Sequence, residues 1–332
     1  MPNVVKVIVA IVAFVGALAA HAATSDWPQR PIRFIVPFAP GGTTDLLASM
    51  VTTGLTKKLG QPVLQETQAG QGGSIGAAEL AKANPDGYTL GTGTISSHGF
   101  NAALYPNLFY DPIKSFAPIT MLAVSPNVLV VHPALNVKTV AELIALLKAN
   151  PDKYSFGSSG NGTSQHIAGE MFKVMTGTQF QHVPYRGSGP MLIDLLAGSI
   201  QFSFENASTA LPQVAAGNLI ALAVTTAKRS MASPNIPTMQ EAGLPGYDIN
   251  SWQAMFAPAG TPPDIIRRLQ VEVSDILKQP ENVQKLAKLG MELDGRTPEE
   301  LAMFLAVEVP RLAEVVKKSG AKARDPVLQK AK

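Results

Sequence analysis

The chain has 332 residues, a length typical of two ordinary domains. Hydrophobic residues make up 46% of it and charged residues 15%, a composition that supports a large buried core and is not that of a disordered protein. The formal net charge is +3, and the sequence has no Lys/Arg run with interleaved aromatic residues, which argues against a nucleic-acid partner. Cysteine is absent, which excludes disulfides, thiolate chemistry and a lipid-anchored cysteine.

The first residues have the pattern of a secretory signal. Lys6 precedes an unbroken apolar run from Val7 to Ala20, and Ala20-His21-Ala22 then places small residues where a signal peptidase cleaves. A membrane anchor is the alternative, but the run has about 14 residues and a membrane span needs about 20. We therefore expect a signal peptide over 1–22, cleavage near Ala22, and a mature protein in the periplasm without a membrane anchor.

The mature chain opens with an alternation of short strands and helices. Ile32 to Val36 is an apolar run typical of a strand, a glycine turn follows, and hydrophobic residues then recur at helical spacing from Leu46 to Leu55. The same unit recurs between 63 and 83, and a third strand begins at Tyr88. This alternation predicts an α/β fold with a mostly parallel sheet, in which ligands bind at the carboxyl ends of the strands.

The same alternation restarts with a strong strand over 127–131 and continues to about residue 225. A strand over 251–256 follows, and 262–318 is almost entirely helical in pattern. We therefore predict two lobes and a tail: lobe 1 over 27–126 and 250–320, lobe 2 over 127–249, and a polar tail over 321–332. The chain crosses between these lobes twice, which suits hinge closure over a ligand in the cleft.

Two loops rich in glycine, serine and threonine are the most informative motifs. The first covers 40–45 and the second 157–164, each lies between a strand and a helix, and there is one in each predicted lobe. Such loops bring backbone N–H groups and a helix N-terminus close to an anion, and glycine has no Cβ to keep the ligand away. Each loop alone is as typical of a tight turn, but together they predict opposing walls of an anion site.

Two other motifs resemble cofactor or catalytic sequences but fail on spacing. Gly70 to Gly76 lacks the G-x-G-x-x-G spacing of a dinucleotide site, and no acidic residue follows at the usual interval. Gly157 to Asn161 lacks the last glycine of a G-x-S-x-G nucleophile elbow, which argues against a serine hydrolase. The histidines after residue 22 do not have metal-ligand spacing. We therefore predict a protein that is not an enzyme, with no cofactor and no metal site.

Several polar side chains are candidates for the cleft. His98 and His166 are placed either to contact a ligand or to form local hydrogen bonds. Arg186 is a candidate for bidentate carboxylate binding or for a strut inside its lobe. Glu205 either accepts a hydrogen bond from a ligand or caps the helix that follows it. Trp252 is more typical of the core than of a ligand wall.

Eight sequence blocks occur in one order across nearly the whole mature chain. They are WPQRPIRFIVPFAPGG at 27–42, GQGGSIGA at 70–77, PDGYTL at 85–90, PYRG at 184–187, DLLAG at 194–198, ALAVT at 221–225, GLPGY at 243–247 and APAGTP at 257–262. Together, and with Asp45 after the first block, they resemble the Bug proteins, the TctC-like extracytoplasmic binding components of tripartite tricarboxylate transporters. Any one block is weak, but the combination is highly specific.

This resemblance implies a two-lobed periplasmic binding protein of type II-like fold, which captures a small carboxylate by hinge closure. In the family, backbone groups and ordered waters at the first glycine loop hold the ligand carboxylate, and that loop corresponds to 39–43 here. With the opposing loop, the loop after the third strand and the polar candidates, the expected ligand-binding set is Phe38, Ala39, Pro40, Gly41, Gly42, Thr43, Thr94, Ser97, His98, Ser158, Ser159, Gly162, Thr163, His166 and Glu205.

One departure from the family concerns the residues after a predicted strand. Members commonly have aspartate-asparagine followed by leucine-proline where this chain has Glu205-Asn206-Ala207-Ser208. We expect the longer acid and its smaller neighbours to alter the pocket volume. The ligand therefore stays open among aliphatic dicarboxylates, hydroxy acids, amino-acid dicarboxylates and aromatic carboxylates.

The resemblance also implies partners for the protein. It implies TctA-like and TctB-like membrane transporter subunits as the partners of a monomeric binding protein. One alternative is a sensory protein that presents its closed form to a signalling receptor. The other alternative, a hydrolase, is disfavoured by the missing catalytic motifs.

Overall fold

The computed structural model describes residues 27–323. The predicted signal peptide at 1–22 and the greater part of the predicted tail, residues 324–332, lie outside the described residues. Among residues 27–323, no helix is both long enough and apolar enough to cross a membrane.

Strands and helices alternate along most of the described chain. The strands are β1 Ile32–Val36, β2 Val63–Thr67, β3 Thr89–Thr94, β4 Phe116–Val131, β5 Ser155–Ser158, β6 Gln181–Pro184, β7 Phe202–Asn206, β8 Ile220–Val224, β9 Asn250–Pro258 and β10 Glu292–Leu293. The helices are α1 Thr43–Leu59, α2 Ser74–Ala81, α3 Asn101–Leu104, α4 Val140–Ala149, α5 Ser164–Thr176, α6 Ser188–Leu196, α7 Ala207–Ala215, α8 Pro263–Leu277, α9 Pro280–Lys288 and α10 Pro298–Ser319. Short 3₁₀ turns at Gln71–Gly73 and Pro133–Leu135 and a π-helical turn at Ser96–Phe100 lie between them.

The strands of residues 27–323 form one sheet in the order β2-β1-β3-β9-β4-β7-β5-β6, with β8 and β10 also paired to β4. In the first strand group, β1 is parallel to β2 and β3. In the second strand group, β5 is parallel to β6 and β7. Between the two groups, β9 is antiparallel to β3 and β4, and β4 is antiparallel to β7. The predicted parallel α/β units are therefore present, joined by a central pair of antiparallel strands.

The 16-residue strand β4 serves both strand groups. Its residues up to Pro126 pair with β9, and its residues from Asn127 pair with β7 and β8. β9 lies between β3 and β4. The carboxyl end of β3 pairs with β9 at Thr94–Gln253, and Gln253 in turn pairs with Ala123 near the middle of β4. The carboxyl end of β7 approaches it from the other side, where Asn206 pairs with Asn127. The carboxyl ends of the two groups therefore face each other across the middle of β4.

Apolar side chains hold the helices on the sheet. Leu47 of α1 and Leu269 of α8 are fully buried in one cluster with β1. A second cluster includes Phe204 of β7 and extends from both strand groups to α10. Trp252 belongs to this cluster, is fully buried, and lies edge-on against Phe304 of α10 with ring centroids 5.8 Å apart. Trp252 is therefore a core residue, as its sequence context indicates.

Two elements differ from the sequence-based expectation. The strand predicted at 127–131 is only the second half of β4, and the helical pattern over 262–318 divides into three helices with β10 among them. Pro280 and Pro298 begin the second and third of these helices. Proline favours the first turn of a helix because its missing N–H is not needed there.

A capping box starts α10. The Glu300 N–H donates to Thr297 Oγ1 at 3.2 Å, and the Thr297 N–H donates to Glu300 Oε2 at 2.8 Å. We expect Thr297→Ala to lower the free energy of unfolding by about 1 kcal/mol. Thr53→Ala, on the exposed face of α1, is the matched control and should change it by less than about 0.5 kcal/mol. Urea titration measures both variants, and equal losses would contradict the capping role.

Candidate functional site

A small cavity lies where the carboxyl ends of the two strand groups meet. Its lining consists of Phe38, Gly42, Thr43, Thr44, Thr94, Ser96, Ser159, Thr163, Ser164, Ser188, Asn206, Ser251 and Gln253. Apart from the phenylalanine and the glycine, every lining residue carries a hydroxyl or an amide, and none is charged. The part of the chain that the structure describes therefore surrounds the cavity with neutral hydrogen-bonding groups.

Helices from both strand groups begin at the cavity. Four lining residues mark these helix starts: Thr43 for α1, Ser164 for α5, Ser188 for α6, and Asn206 directly before α7. The first N–H groups of a helix have no partner within the helix and carry a partial positive charge. α1, α6 and α7 have no side-chain cap that would take up these donors. The backbone therefore directs partial positive charge towards the cavity although its lining contains no cationic side chain.

The first glycine loop, residues 39–43, touches the second strand group directly. The Ala39 N–H donates to the Arg186 carbonyl oxygen at 3.0 Å. A Cβ on Gly189 of α6 would lie far inside van der Waals distance of the Pro40 carbonyl oxygen. The sequence predicts that this loop faces the second glycine loop at 157–164. Both loops contribute to the lining, but the direct partner of the first loop is the turn that leads into α6.

The second glycine loop, residues 157–164, packs against the turn at Gln71–Gly73 instead. Gly72 has a φ of 58°, and a Cβ on it would overlap the Asn161 carbonyl oxygen. The Tyr105 hydroxyl donates to the same oxygen at 3.4 Å. Gly72, from the motif that resembles a dinucleotide site, therefore forms a contact between the two strand groups. This contact requires glycine because the two backbones approach so closely.

The structure brings part of the expected ligand-binding set together. The expected residues that line the cavity are Phe38, Gly42, Thr43, Thr94, Ser159 and Thr163. Those that lie at the contact with the turn before α6, outside the lining, are Ala39, Pro40 and Gly41. Those that are buried and do not line the cavity are Ser97, His98, Ser158, Gly162, His166 and Glu205.

Both candidate histidines are packed into the wall of the protein. His98 is wholly buried and stacks on Phe256 with ring centroids 4.2 Å apart, and its Nδ1 lies 2.9 Å from Ser97 Oγ. Burial lowers the pKa of His98 to about 3, so it is neutral at physiological pH. His166 is buried and stacks on His182 at 4.3 Å. Aromatic packing and local hydrogen bonds hold both rings in the wall, and His98 Nε2 is buried without a hydrogen-bond partner among residues 27–323.

Glu205 is wholly buried beside the lining residue Ser188. Its carboxylate accepts hydrogen bonds from Ser188 Oγ at 2.9 Å, Thr209 Oγ1 at 2.6 Å, the Asn206 N–H at 2.8 Å and Gln165 Nε2 at 3.0 Å. Burial raises the pKa of Glu205, and these four hydrogen bonds act in the opposite direction. Glu205 therefore organises the wall instead of lining the cavity.

The expected set omitted several lining residues. They are Thr44, Ser96, Ser164, Ser188, Asn206, Ser251 and Gln253. Ser188 follows Gly187 in the same strand–glycine–helix pattern as the two glycine loops, so that signal was present in the sequence. Gln253 lies in an apolar strand and has no local signal. Arg186 is exposed and reaches the first glycine loop through its carbonyl oxygen only.

Comparisons with known proteins agree with this architecture. The protein BugT of Bordetella pertussis is 37% identical over 325 residues, which cover 98% of this chain and 99% of BugT. A protein of R. palustris, solved with adipate, is 38% identical with a TM-score of 0.86, over 89% of this chain and 99% of that one. MatC from Rhodopseudomonas palustris, solved with bound malate, is 32% identical with a TM-score of 0.84, over 87% and 100%.

The fold is therefore that of the two-lobed α/β periplasmic solute-binding proteins. The family model described as "Tripartite tricarboxylate transporter family receptor" matches residues 47–321, and the chain belongs to this family. The resemblance drawn from the eight sequence blocks is confirmed. Family and fold are those of solute-binding proteins and not of enzymes. Over residues 27–323, no three His, Asp or Glu side chains are grouped to hold a metal ion.

The buried His98 should make the stability of the fold depend on pH. Burial lowers its pKa from 6.5 to about 3, so between these values the unfolded chain binds more protons than the folded protein. Stability is therefore lost as the pH falls below 6.5. From pH 6.5 to pH 5, His98 alone should remove about 2 kcal/mol from the free energy of unfolding.

Urea titrations over this pH range test the effect. His98→Gln removes the titrating group and should have a flatter pH dependence than the wild type. His132→Gln, at a partly exposed histidine, is the control and should keep the wild-type slope. A wild-type slope in His98→Gln would contradict the prediction.

Proposed function

We propose that this protein captures a small carboxylate in the periplasm for uptake through a tripartite tricarboxylate transporter. The observation that carries the proposal is the convergence of helix N-termini on a cavity whose lining, within residues 27–323, has no charged side chain. The structural neighbours solved with adipate and with malate support a carboxylate as the ligand.

The chemistry of the cavity suits an anion that is bound reversibly. Each helix start acts as roughly half a positive charge, so the starts of α1, α5, α6 and α7 together can balance the buried Glu205 carboxylate and about one carboxylate of a ligand. Hydroxyl groups such as those of Thr44 and Ser164 can donate further hydrogen bonds to carboxylate oxygens. Because most of the lining side chains are buried, these dipoles act more strongly there than they would in water.

Hinge closure is the second part of the proposal. We propose that lobe 1 is 27–126 with 250–320 and that lobe 2 is 127–249. In support, β4 changes partners between Pro126 and Asn127, and the chain returns to the first strand group with β9 at Asn250. A carboxylate that contacts helix starts of both lobes would favour the closed state, since the open state separates the start of α1 in lobe 1 from the starts of α5, α6 and α7 in lobe 2.

Export and delivery complete the proposal. The segment 1–22 would direct export and be removed near Ala22, and the closed monomer would then dock on TctA-like and TctB-like membrane subunits. The description of the family as a transporter receptor supports this role. Loss of uptake of the bound acid in a deletion strain is the expected result. Uptake that persists while a ligand-dependent response is lost would instead favour the sensory alternative.

A thermal-shift screen of carboxylates tests binding at the cavity. A ligand at 100 times its dissociation constant should stabilise the fold by about 2.7 kcal/mol. Ser164→Asp places a negative charge at the start of α5, where it suits the helix but repels a bound carboxylate. We expect the variant to lose at least about 100-fold in affinity, a difference of about 2.8 kcal/mol.

Ser164→Asn is the matched control, because it has nearly the same size without the charge. Calorimetric titration of both variants with the best ligand of the screen measures the difference. Ser164→Asn should lose much less affinity than Ser164→Asp. Equal affinity of wild type and Ser164→Asp would show that the ligand binds elsewhere.

Closure is tested at Gly189. Its helical backbone accepts alanine without strain, but the added Cβ would overlap the Pro40 carbonyl oxygen only when the lobes meet. Gly189→Ala should therefore keep its unfolding midpoint and lose about tenfold or more in ligand affinity, because the closed state becomes less populated. Pro190→Ala, at the exposed neighbour, is the control and should bind as the wild type does. Undiminished affinity in Gly189→Ala would contradict closure through this contact.

A further inference from the structure

One side chain in the cavity lining has an unused hydrogen-bonding atom. Gln253 is only 2% exposed and lines the cavity. Its Nε2 donates to Ser251 Oγ at 3.1 Å. Its Oε1 is buried and has no hydrogen-bond partner in the part of the chain that the structure describes. Such atoms are rare in folded proteins because a buried acceptor without a donor is costly, so this one calls for a physical account.

The backbone holds this amide in place. Gln253 lies on β9 and pairs with Thr94 on one side and with Ala123 on the other. Its neighbours along the strand, Trp252 and Ala254, are fully buried. Since successive side chains of a strand point to opposite faces, the buried neighbours prevent the strand from turning Gln253 away from the cavity.

Ser188 presents a second acceptor from the other strand group. Its hydroxyl donates to Glu205 Oε1 at 2.9 Å and accepts from Gln165 Nε2 at 3.0 Å. The Ser159 N–H donates to Gln165 Oε1, which fixes the orientation of that amide. The proton of Ser188 is therefore committed to Glu205, and towards the cavity Ser188 has only a lone pair to offer.

We infer that the ligand carries a hydroxyl group in addition to its carboxylate, and that Gln253 selects for it by accepting its hydrogen bond. This inference rests on the proposed function, because the helix starts must hold the carboxylate. The N–H groups of the helix starts serve the negative end of the ligand, whereas Gln253 Oε1 and Ser188 Oγ require a donor. An unsubstituted aliphatic dicarboxylate has no such donor at neutral pH and would leave Gln253 Oε1 buried without a partner.

Matched pairs of acids test this selection by calorimetry. The probes are succinate and malate, glutarate and 2-hydroxyglutarate, and adipate and 2-hydroxyadipate, each pair differing by one hydroxyl. For at least one pair, the wild type should bind the hydroxy acid about tenfold or more tightly, because a buried acceptor is satisfied only in that complex. Gln253→Met has a similar shape without the amide. It should lose this preference, so that it binds the two members of the pair with affinities within about threefold of each other.

Controls separate the possible outcomes. Gln179→Met, at an exposed glutamine, should keep the wild-type preference. If Gln253→Met fails to fold, as judged by its unfolding midpoint, Gln253→Leu replaces it. A wild type that binds no acid of this panel and no acid of the carboxylate thermal-shift screen would refute the proposed function itself. A wild type that binds these acids with equal affinity or prefers the unsubstituted ones, or a hydroxyl preference that survives in the Gln253 variant, would overturn this inference alone.

Discussion

Helices α1, α5, α6 and α7 all begin at a single cavity whose lining is neutral. The rest of the structure depends on this constraint. The turns after β1, β5, β6 and β7 open towards the same place only because both strand groups end at the middle of β4. Since the positive potential comes from backbone N–H groups, it does not depend on any one side chain. The side chains of the lining are then free to set the shape of the cavity and its pattern of donors and acceptors.

Glycine and buried polar residues support this cavity in different ways. Gly72 and Gly189 allow the backbones of the two strand groups to approach more closely than any Cβ would permit. Glu205 lies beside the lining residue Ser188, and its four hydrogen bonds fix the orientation of Ser188 and Gln165. It therefore shapes the cavity through the wall it organises, because its own carboxylate does not line the cavity.

Much of the site could be predicted from local patterns, and the rest could not. The two glycine loops were found because a strand, a glycine turn and a helix start are adjacent in sequence, and Thr43, Ser159 and Thr163 do line the cavity. His98 lies in the turn after β3 and His166 in the first turn of α5, directly after the second glycine loop, but both rings pack into the aromatic core. The sequence could not show this direction, because the partners Phe256 and His182 come from other strands.

Periodicity, glycine placement and the eight blocks were enough to establish the α/β class, the two-lobed fold and the family, because these signals are local and add up along the chain. These local signals did not show which residues line the cavity. Gln253 lies beside Thr94 and Asn206 beside Asn127 only after strands more than seventy residues apart have paired. Strand pairing over such separations depends on the burial of many side chains at once, so the lining emerged only when the whole sheet was assembled.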